Sequence, residues 1–503
     1  MANSHRRRRR PARSTGKPAV KGVTTSNRRS PLTTLEKEEG EHQFDRLSDL
    51  PDDVLLNIVE RLDAADAART AALSRRWKQI PAMLSEVLIM VGPTDNERER
   101  NEDDVARANA TVLGATRSLL ERKSAGRYAI CRLCMRFFLG DGSVSICRAS
   151  ANAMAAQKVG VAEFTILTEK EGRRCSLDDR IACGTRLTSL INDCPEAFTC
   201  LTRLKLENLG LRGESDFPRI FRLCQRLEFL HLDNCGMGYP SLLEMEHPRL
   251  RELEILRSRF ERVDLNWLPE LTTLAFSRCL SLHDPLSFGH VPLLHTVSIR
   301  YTAVSWNKML KMSEFLGQAT VSNLTLGFEK EKIWVKPEGP RELSRVFSKL
   351  RLVNLSAISN ECDLTWTMFV LQGAPSLEEL CVRVCDCLGI WDKEKRRNLG
   401  YSEERNDVDA KWEASDFKHN NLSMLRIFGF QSDDKFVGYA RAVMDVAVNL
   451  KDIYFHEKPA CKVECAYIGR RSNKYPRSAM EKIMLRICLS MYRHPLLRLH
   501  FPL

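Results

Sequence analysis

The residues of this chain most able to do chemistry are its cysteines, two pairs of which lie close together in the sequence. Cys131 and Cys134 form a lone Cys-x-x-Cys motif, and Cys461 and Cys465 lie far along the chain. Zinc sites need further thiolate or imidazole ligands at set spacings, and no histidine stands at such a spacing beside the second pair. We therefore predict no metal site. The alternation of YAICRLCMRFF around the first pair instead favours an edge strand that starts the following domain.

Other catalytic motifs are missing from the sequence. There is no glycine-rich phosphate loop followed by Lys and Ser or Thr, no nucleophile elbow, and no His-Glu-x-x-His pattern. The sequence therefore predicts no catalytic residue and no cofactor, and a hydrolase hidden in the chain is the weakest alternative.

Composition indicates an intracellular chain. The 503 residues are 43% hydrophobic and 28% charged, which is ordinary for a soluble protein with more than one domain. No run reaches the roughly 18 apolar residues that a membrane helix needs, and no secretory signal is evident. Seventeen cysteines are then expected to be reduced thiols. We expect the nucleus, the cytoplasm or both, and no membrane partner.

Much of the net charge of +12 lies in the first 43 residues, which hold 11 Lys and Arg against 4 Glu. The cluster Arg6, Arg7, Arg8, Arg9 and Arg10 stands among Ser, Thr, Pro and Gly, a composition that predicts disorder. Such a cluster is a candidate nuclear-import signal or a contact for polyanions. A merely solvated tail is the alternative.

From Phe44 onward apolar residues recur at helical spacing, in FDRLSDLPDDVLLNIVERLDAADAARTAALSRRWKQIP. Three short helices are predicted within a module at 44–90. The first begins near Pro51, which suits an opening turn. Asp66 is a candidate cap for the second helix, and Ser74 for a third that carries Trp77 and ends before Pro81.

Three motifs in this module resemble the F-box family in its plant form. They are Leu-Pro-Asp-Asp-Val-Leu at 50–55, Asp-Ala-Ala-Arg-Thr at 66–70 and Leu-Ser-Arg-Arg-Trp at 73–77. The resemblance spans 44–81 and is specific as a set. It implies a surface that docks a Skp-type adaptor, formed by Leu50, Pro51, Val54, Leu55, Ile58, Leu62, Leu73 and Trp77.

Some of these residues could instead pack the helices together. For Leu62 and Leu73, packing is as good an interpretation as contact with the adaptor. Leu50 and Pro51, ahead of the first helix, are the better candidates for direct contact.

A second period begins beyond residue 125, in which apolar-x-x-apolar-x-apolar units recur to the end of the chain. Most successive units are separated by the roughly 20 to 29 residues that are typical of leucine-rich repeats. One longer gap separates Leu377 from Leu422. The units begin at Leu201, Leu227, Leu250, Leu271, Leu294, Val321, Leu350, Leu377, Leu422 and Leu450.

This period predicts the architecture. One unit has too little apolar surface to fold alone, so neighbours stack and their strands pair in parallel. We predict an α/β chain, in which a three-helix F-box precedes an irregular leucine-rich-repeat solenoid with a parallel sheet on its concave face. Cys235, Cys279 and Cys385 occupy the template position that favours Asn or Cys, where a buried thiol can donate to backbone carbonyls.

The remaining segments complete the predicted domains. A charged helical linker spans 91–124, and the repeats span 125–418. A charged insertion at about 388–418 contains Trp391, Tyr401 and Trp412; disorder and a partner contact are both open for it. The tail at 419–503, with a helix-like KFVGYARAVMDVAVNL, is loosely similar to the carboxyl-terminal segment of plant F-box proteins of the leucine-rich and FBD class.

The resemblance implies a function. The chain lacks the zinc scaffold of a RING and any motif of a thioester cysteine, so chemistry would come from a cullin-RING ligase reached through the adaptor. The repeats would bind an unknown protein substrate. Lys205, His231, Glu254 and Ser298 lie between the template positions and face inward on the concave surface, so they are candidates for contact with the substrate, with solvated sheet surface as the alternative. The rival hypothesis is a leucine-rich scaffold or nucleic-acid-associated protein without a ligase, although nucleic acid is not expected as a partner.

Overall fold

The computed structural model describes most of the chain from Leu50 onward. The described ranges are 50–62, 64–70, 72–91, 101–124, 129–156, 159–170, 175–211, 216–236, 242–277, 284–300, 309–328, 333–360, 362–385, 416–457, 474–489 and 496–502. The described ranges exclude the basic tail with Arg6 to Arg10, Cys279, the Cys461 and Cys465 pair, and the charged insertion up to residue 415. Over these ranges, no helix has both the length and the apolar character needed to cross a membrane.

The helical module contains α1 (Asp52–Glu60), α2 (Ala64–Thr70) and α3 (Ile80–Met83). Pro51 occupies the cap position of α1, as predicted. Two other predictions are wrong. Helix α2 begins before Asp66, which lies in its first turn, and the third helix contains Pro81 instead of ending before it. Proline lacks a backbone N–H, which a first helical turn does not need. Trp77 lies in the turns before α3, where its backbone N–H donates to Ser74 Oγ (3.3 Å).

Fourteen described strands form one parallel sheet, in which the spatial order follows the order along the chain. They are β1 (Glu86–Met90), β2 (Arg132–Phe138), β3 (Val161–Leu167), β4 (Arg203–Glu207), β5 (Phe229–Asp233), β7 (Glu252–Leu256), β9 (Thr273–Ser277), β11 (Thr296–Arg300), β12 (Asn323–Gly327), β13 (Leu352–Ser359), β14 (Glu379–Cys385), β15 (Met424–Phe428), β16 (Asp452–His456) and β17 (Arg498–His500).

All ten predicted repeat units form strands of this sheet. In β4, Leu204 and Leu206 are buried, whereas Lys205 between them is half-exposed on the other side. The pairing keeps this alternation in register, since Leu204 pairs with Leu230 and Leu230 pairs with Leu253. The buried residues form one continuous core, and the alternate residues form what we call the open face. The predicted α/β fold class is confirmed.

Four strands extend the sheet beyond the predicted repeats, namely β1, β2, β3 and β17. Strand β2 carries Cys134 and pairs with both β1 and β3, so the prediction of an edge strand there is wrong. The edge is β1, which the sequence analysis counted with the helical module. This short strand follows the helices directly and repeats no template, so periodicity gave no sign of it.

The return path between strands depends on the spacing of the repeats. The most closely spaced units are those that begin at Leu227, Leu250, Leu271 and Leu294. Between them the chain returns through strands: β6 (Leu242–Glu246), β8 (Arg262–Trp267) and β10 (Leu286–His290), which form a second parallel sheet.

Between more widely spaced units, the returns that the structure describes are helical instead. A helix rises about 1.5 Å per residue and a strand about 3.3 Å, so a helical return needs more residues to cover the same distance. These helices are α8 (Asp216–Leu223), α9 (Met312–Phe315), α10 (Pro340–Phe347), α11 (Met368–Gly373) and α12 (Asp434–Val446). Helix α12 confirms the helical prediction for the tail, and α13 (Ala479–Cys488) precedes β17.

Cys235 confirms the role predicted for the template cysteine. It is fully buried, and its thiol donates to the carbonyl oxygens of Leu206 (3.6 Å) and Asp233 (3.4 Å). Burial raises the pKa of Cys235 to about 12, so the thiol stays protonated and able to donate. Cys385 is also buried.

Helix α4 (Glu102–Ser124) joins the helical module to the sheet. The sequence analysis assigned this segment to a linker, but Val112 and Leu119 belong to the main core, and α2 and α3 pack against α4. Asn109 is fully buried and fastens α4 to β2: its Nδ2 donates to Phe138 O (2.9 Å) and Asp141 O (2.7 Å), while its Oδ1 accepts from Phe138 N (3.0 Å). Helices α5 (Ser143–Ala156), α6 (Leu177–Asp193) and α7 (Pro195–Thr199) complete this end.

We predict that Asn109→Ala lowers the stability of the protein by roughly 2–4 kcal/mol, because buried backbone groups of Phe138 and Asp141 lose their partners. A lower urea midpoint of the full chain measures the change. The control is Asn57→Ala, since Asn57 is exposed on α1 and its loss is expected to cost less than about 0.5 kcal/mol. Equal midpoints for the two variants would contradict the role given to Asn109.

Candidate functional site

Four of the predicted adaptor-binding residues are exposed on the helical module. Pro51 is exposed, Val54 and Leu62 each keep 39% of their surface accessible, and Leu73 keeps 64%. Val54, Ile58 and Leu62 are spaced by four residues, so α1 and its end place them on one side of the helix. Exposed aliphatic side chains grouped in this way are available for a partner.

The other predicted adaptor-binding residues contribute to the interior of the module. Leu55 and Trp77 are buried at 0% and 3% exposure, in a small core with Val59 and Ile80. Leu50 and Ile58 are half-buried against this core. Packing is therefore the role that the structure shows for Leu55 and Trp77, and Leu50 is less accessible than its place ahead of α1 suggested.

A side-chain contact ties the turn after Leu73 to the start of α1. Arg76 donates to Asp52 Oδ1 through Nε (2.9 Å) and Nη2 (2.7 Å). Both side chains are exposed, so the energy of the pair is small. Its effect is on position, because it holds the segment that carries Leu73 beside the helix that carries Val54.

The open face begins with a compact cluster of charges on β2, β3 and β4. Glu163, of which 7% of the side chain is exposed, lies 2.6 Å from Lys205 and 3.5 Å from both Arg203 and Arg132. Burial tends to raise the pKa of Glu163, but the hydrogen bond from Lys205 and the two guanidinium charges outweigh it, so the pKa is lowered. The negative charge of Glu163 is therefore neutralised by Lys205 and the two arginines.

The four candidate substrate residues from the sequence lie along one row of the open face. Lys205, His231 and Glu254 are consecutive in the pairing, and Ser298 follows after Ala275. His231 Nδ1 lies 2.7 Å from a carboxylate oxygen of Glu254, and Lys205 contacts Glu163. Three of the four are thus engaged with neighbours. From β9 to β12 the open face carries short side chains, including Thr273, Ala275, Thr296 and Thr325.

At the carboxyl-terminal end the open face changes to stacked rings and arginines. The guanidinium carbon of Arg426 lies 4.2 Å from the ring centre of Tyr454, and the rings of Tyr454 and His500 stack at 4.2 Å. Arg426 also donates to Glu379 (2.8 Å), and Arg498 to Asp452 (2.8 Å). This group was not predicted from the sequence, although Arg426 and Tyr454 occupy the same between-template position as Lys205.

The candidate metal ligands do not assemble among the described residues. No group of three or more His, Cys, Asp or Glu side chains is placed to hold a metal ion there. Cys134 is buried and receives a hydrogen bond from Arg132 Nε (3.1 Å), whereas Cys131 is exposed. Burial is the main reason that the pKa of Cys134 is raised.

Comparison with known proteins identifies the helical module. Residues 47–86 match the F-box domain family. The meiotic F-box protein MOF of Oryza sativa subsp. japonica is 25% identical over 397 residues, which cover 72% of this chain and 75% of that protein. An F-box/FBD/LRR-repeat protein of Arabidopsis thaliana is 25% identical over 228 residues, which cover 42% of this chain and 49% of that protein.

Among solved structures, the crystal structure of the yeast Rad7 and Elc1 complex covers 73% of this chain and 87% of the matched chain. The sequence identity is 14% and the TM-score is 0.24, too low to bear on the fold. The family match shows that the chain carries an F-box domain, and the structure places a solenoid with a long parallel sheet after it. The chain is similar to plant F-box proteins of the FBD and leucine-rich-repeat class, as predicted, and the F-box domain supports a substrate-adaptor role.

Proposed function

We propose that this protein is the substrate-recognition subunit of a Skp-cullin-F-box type ubiquitin ligase. In this proposal the F-box docks a Skp-type adaptor, and the leucine-rich repeats bind the protein target. The observation that carries the proposal is the F-box at 47–86 with an exposed aliphatic surface, next to a long sheet whose open face bears mixed polar and aromatic side chains.

The chain would position the target protein and would not itself catalyse the transfer of ubiquitin. The adaptor would connect it to a cullin and a RING subunit, which bring a charged conjugating enzyme to a lysine of the target. Holding the target nearby raises its effective concentration at the thioester. The packing of α2 and α3 against α4 supports this, because it links the adaptor surface directly to the sheet that would carry the target.

Within the F-box, we assign direct adaptor contact to Pro51, Val54, Leu62 and Leu73. Fully burying an exposed leucine contributes about 1.5–3 kcal/mol. Val54, Leu62 and Leu73 keep 39%, 39% and 64% of their surface accessible, so covering each of them would contribute about half of that value. Leu50 and Ile58 would line its edge. Leu55 and Trp77 would support the surface from beneath.

We predict that the double variant Val54→Asp and Leu73→Asp lowers capture of a Skp-type adaptor by more than about tenfold, because each charge would be buried in the interface. The measurement is a quantitative pull-down of the adaptor with the full chain. The matched control is Val448→Asp, since Val448 is comparably exposed, at 52%, but lies in the solenoid. If the wild-type chain captures no adaptor, the ligase proposal fails; if the double variant captures as much as the control, the contact assignment fails.

For localisation we propose the nucleus as well as the cytoplasm, on the basis of the cluster Arg6 to Arg10. Deleting residues 1–30 is expected to lower the nuclear fraction of a fluorescent fusion, because clustered guanidinium groups would no longer be offered to an acidic import receptor. Replacing the same five arginines by lysine, which keeps the charge, serves as the control. An unchanged nuclear fraction after the deletion would remove this proposal.

A further inference from the structure

One row of the open face crosses six neighbouring strands near their carboxyl ends. From β11 to β16 its residues are Arg300, Gly327, Ser356, Arg383, Phe428 and His456. The guanidinium carbon of Arg383 lies 4.1 Å from the ring centre of Phe428, and the ring of His456 stacks on the same phenyl ring at 3.9 Å, with the planes 1° apart. Phe428 thus joins the cation to the imidazole and holds the guanidinium flat.

Arg383 differs from the neighbouring arginines in its charge balance. Arg426 is paired with Glu379, and Arg498 with Asp452. Arg383 Nε donates instead to the neutral amide oxygen of Asn354 (3.0 Å), and no carboxylate of the described residues lies within salt-bridge distance of it. Its positive charge is therefore not neutralised by these residues, on a half-buried surface.

The regular ladder is interrupted opposite this same residue. Leu355 pairs with Val382 and Ile358 pairs with Val384, so Ser356 and Ala357 together face the single residue Arg383. This is a β-bulge. Ala357 within it adopts a positive φ of 57°, as Asn208, Asn234 and Arg257 do at the corresponding position of their repeats, so this left-handed residue is a feature of the repeat. Bulges are over-represented next to functional sites, where they re-aim a side chain.

A second arginine of the same row is similar in its charge balance. Arg300 is exposed, and the part of the chain that the structure describes offers it no carboxylate within salt-bridge distance. Its stem lies over Gly327, since a Cβ at that glycine would come within 2.6 Å of Arg300 Cγ. Arg300 and Arg383 are three strands apart, or about 14 Å between Cα atoms, and the row between them holds only Gly327 and Ser356.

We propose that this row, which we call the Arg383 surface, binds an extended acidic segment of the target protein. Arg383 holds one Asp or Glu carboxylate through the two terminal nitrogens of its guanidinium group, and Arg300 holds a second carboxylate. The inference rests on the proposed function, because the segment belongs to the protein that the solenoid recognises.

The charges favour a carboxylate over a phosphate. A phosphoryl group carries about −1.5 to −2 at neutral pH, whereas one guanidinium group carries a single positive charge, so each arginine balances one carboxylate but not one phosphoryl group. A nucleic acid presents one phosphate after another and needs many free cations, whereas Arg203, Arg426 and Arg498 of this face are already neutralised. Single carboxylates match the two isolated guanidinium groups.

The test uses the full chain bound to its Skp-type adaptor and an array of short synthetic peptides. Each peptide carries two Asp or Glu residues at varied spacing in a Gly, Ser, Leu and Tyr background, beside matched Asn or Gln and phosphoserine versions. We expect acidic peptides to bind about tenfold to a hundredfold more tightly than their amides, and less tightly at high salt. A preference for phosphoserine, no preference for acids, or no binding at all would overturn the proposal.

The variant Arg383→Gln is expected to abolish the acid preference, and Arg383→Lys to keep part of it, since lysine retains the charge but not the planar fork. The matched control is Arg203→Gln: Arg203 also lies over a phenyl ring, that of Phe229 at 3.8 Å, but it already has Glu163 and Glu252 as partners. Equal loss in both glutamine variants would overturn the assignment to Arg383.

Adaptor capture and the thermal midpoint are recorded for every sample. Intact adaptor capture without acid preference would refute the Arg383 surface alone, whereas lost adaptor capture by the wild-type chain would refute the proposed function. If Arg383→Gln unfolds, the comparison of acidic with amide peptides on the wild-type chain decides whether the Arg383 surface binds acidic segments.

Discussion

The burial of alternating apolar residues along parallel strands is the constraint on which the rest of this protein depends. A single unit such as Leu201 to Leu206 cannot exclude water alone, so its strand is stable only when the next unit covers it. Since the side chains of a strand alternate between its two sides, fixing the leucines inward also fixes the intervening residues outward in rows. The open face, with its charged beginning and its stacked carboxyl-terminal end, is a direct consequence of that register.

The sequence was sufficient for this part of the fold because the signal is local and repeated. All ten predicted units are strands, and Cys235 behaves as the template requires. The spacing of the repeats contained further information, since the most closely spaced units return through strands, and the more widely spaced units whose returns the structure describes use helices. In the F-box, the same periodicity located α1 but did not separate buried Trp77 from exposed Leu73, because both occupy apolar positions of one motif.

Features that depend on contacts between distant segments could not be predicted in this way. Strand β1 repeats no template, and α4 was assigned to a linker because its surface is charged, although Asn109 fastens it to β2. The bulge opposite Arg383 follows from the mismatch of two neighbouring strands, which no single repeat reveals. Charge balance is equally non-local: Arg426 and Arg383 look alike in sequence, and only their neighbours distinguish them.

We propose that the helical module docks an adaptor while the sheet remains available for a target. Hydrogen exchange of the full chain, with and without a bound Skp-type adaptor, distinguishes the two surfaces, because exchange reports the covering and stabilising of backbone amides segment by segment. We expect slower exchange over residues 50–77, which contain α1, α2 and the turns that follow, and unchanged exchange in the strands from β4 to β17. Protection confined to the sheet, or none in the module, would contradict this proposal.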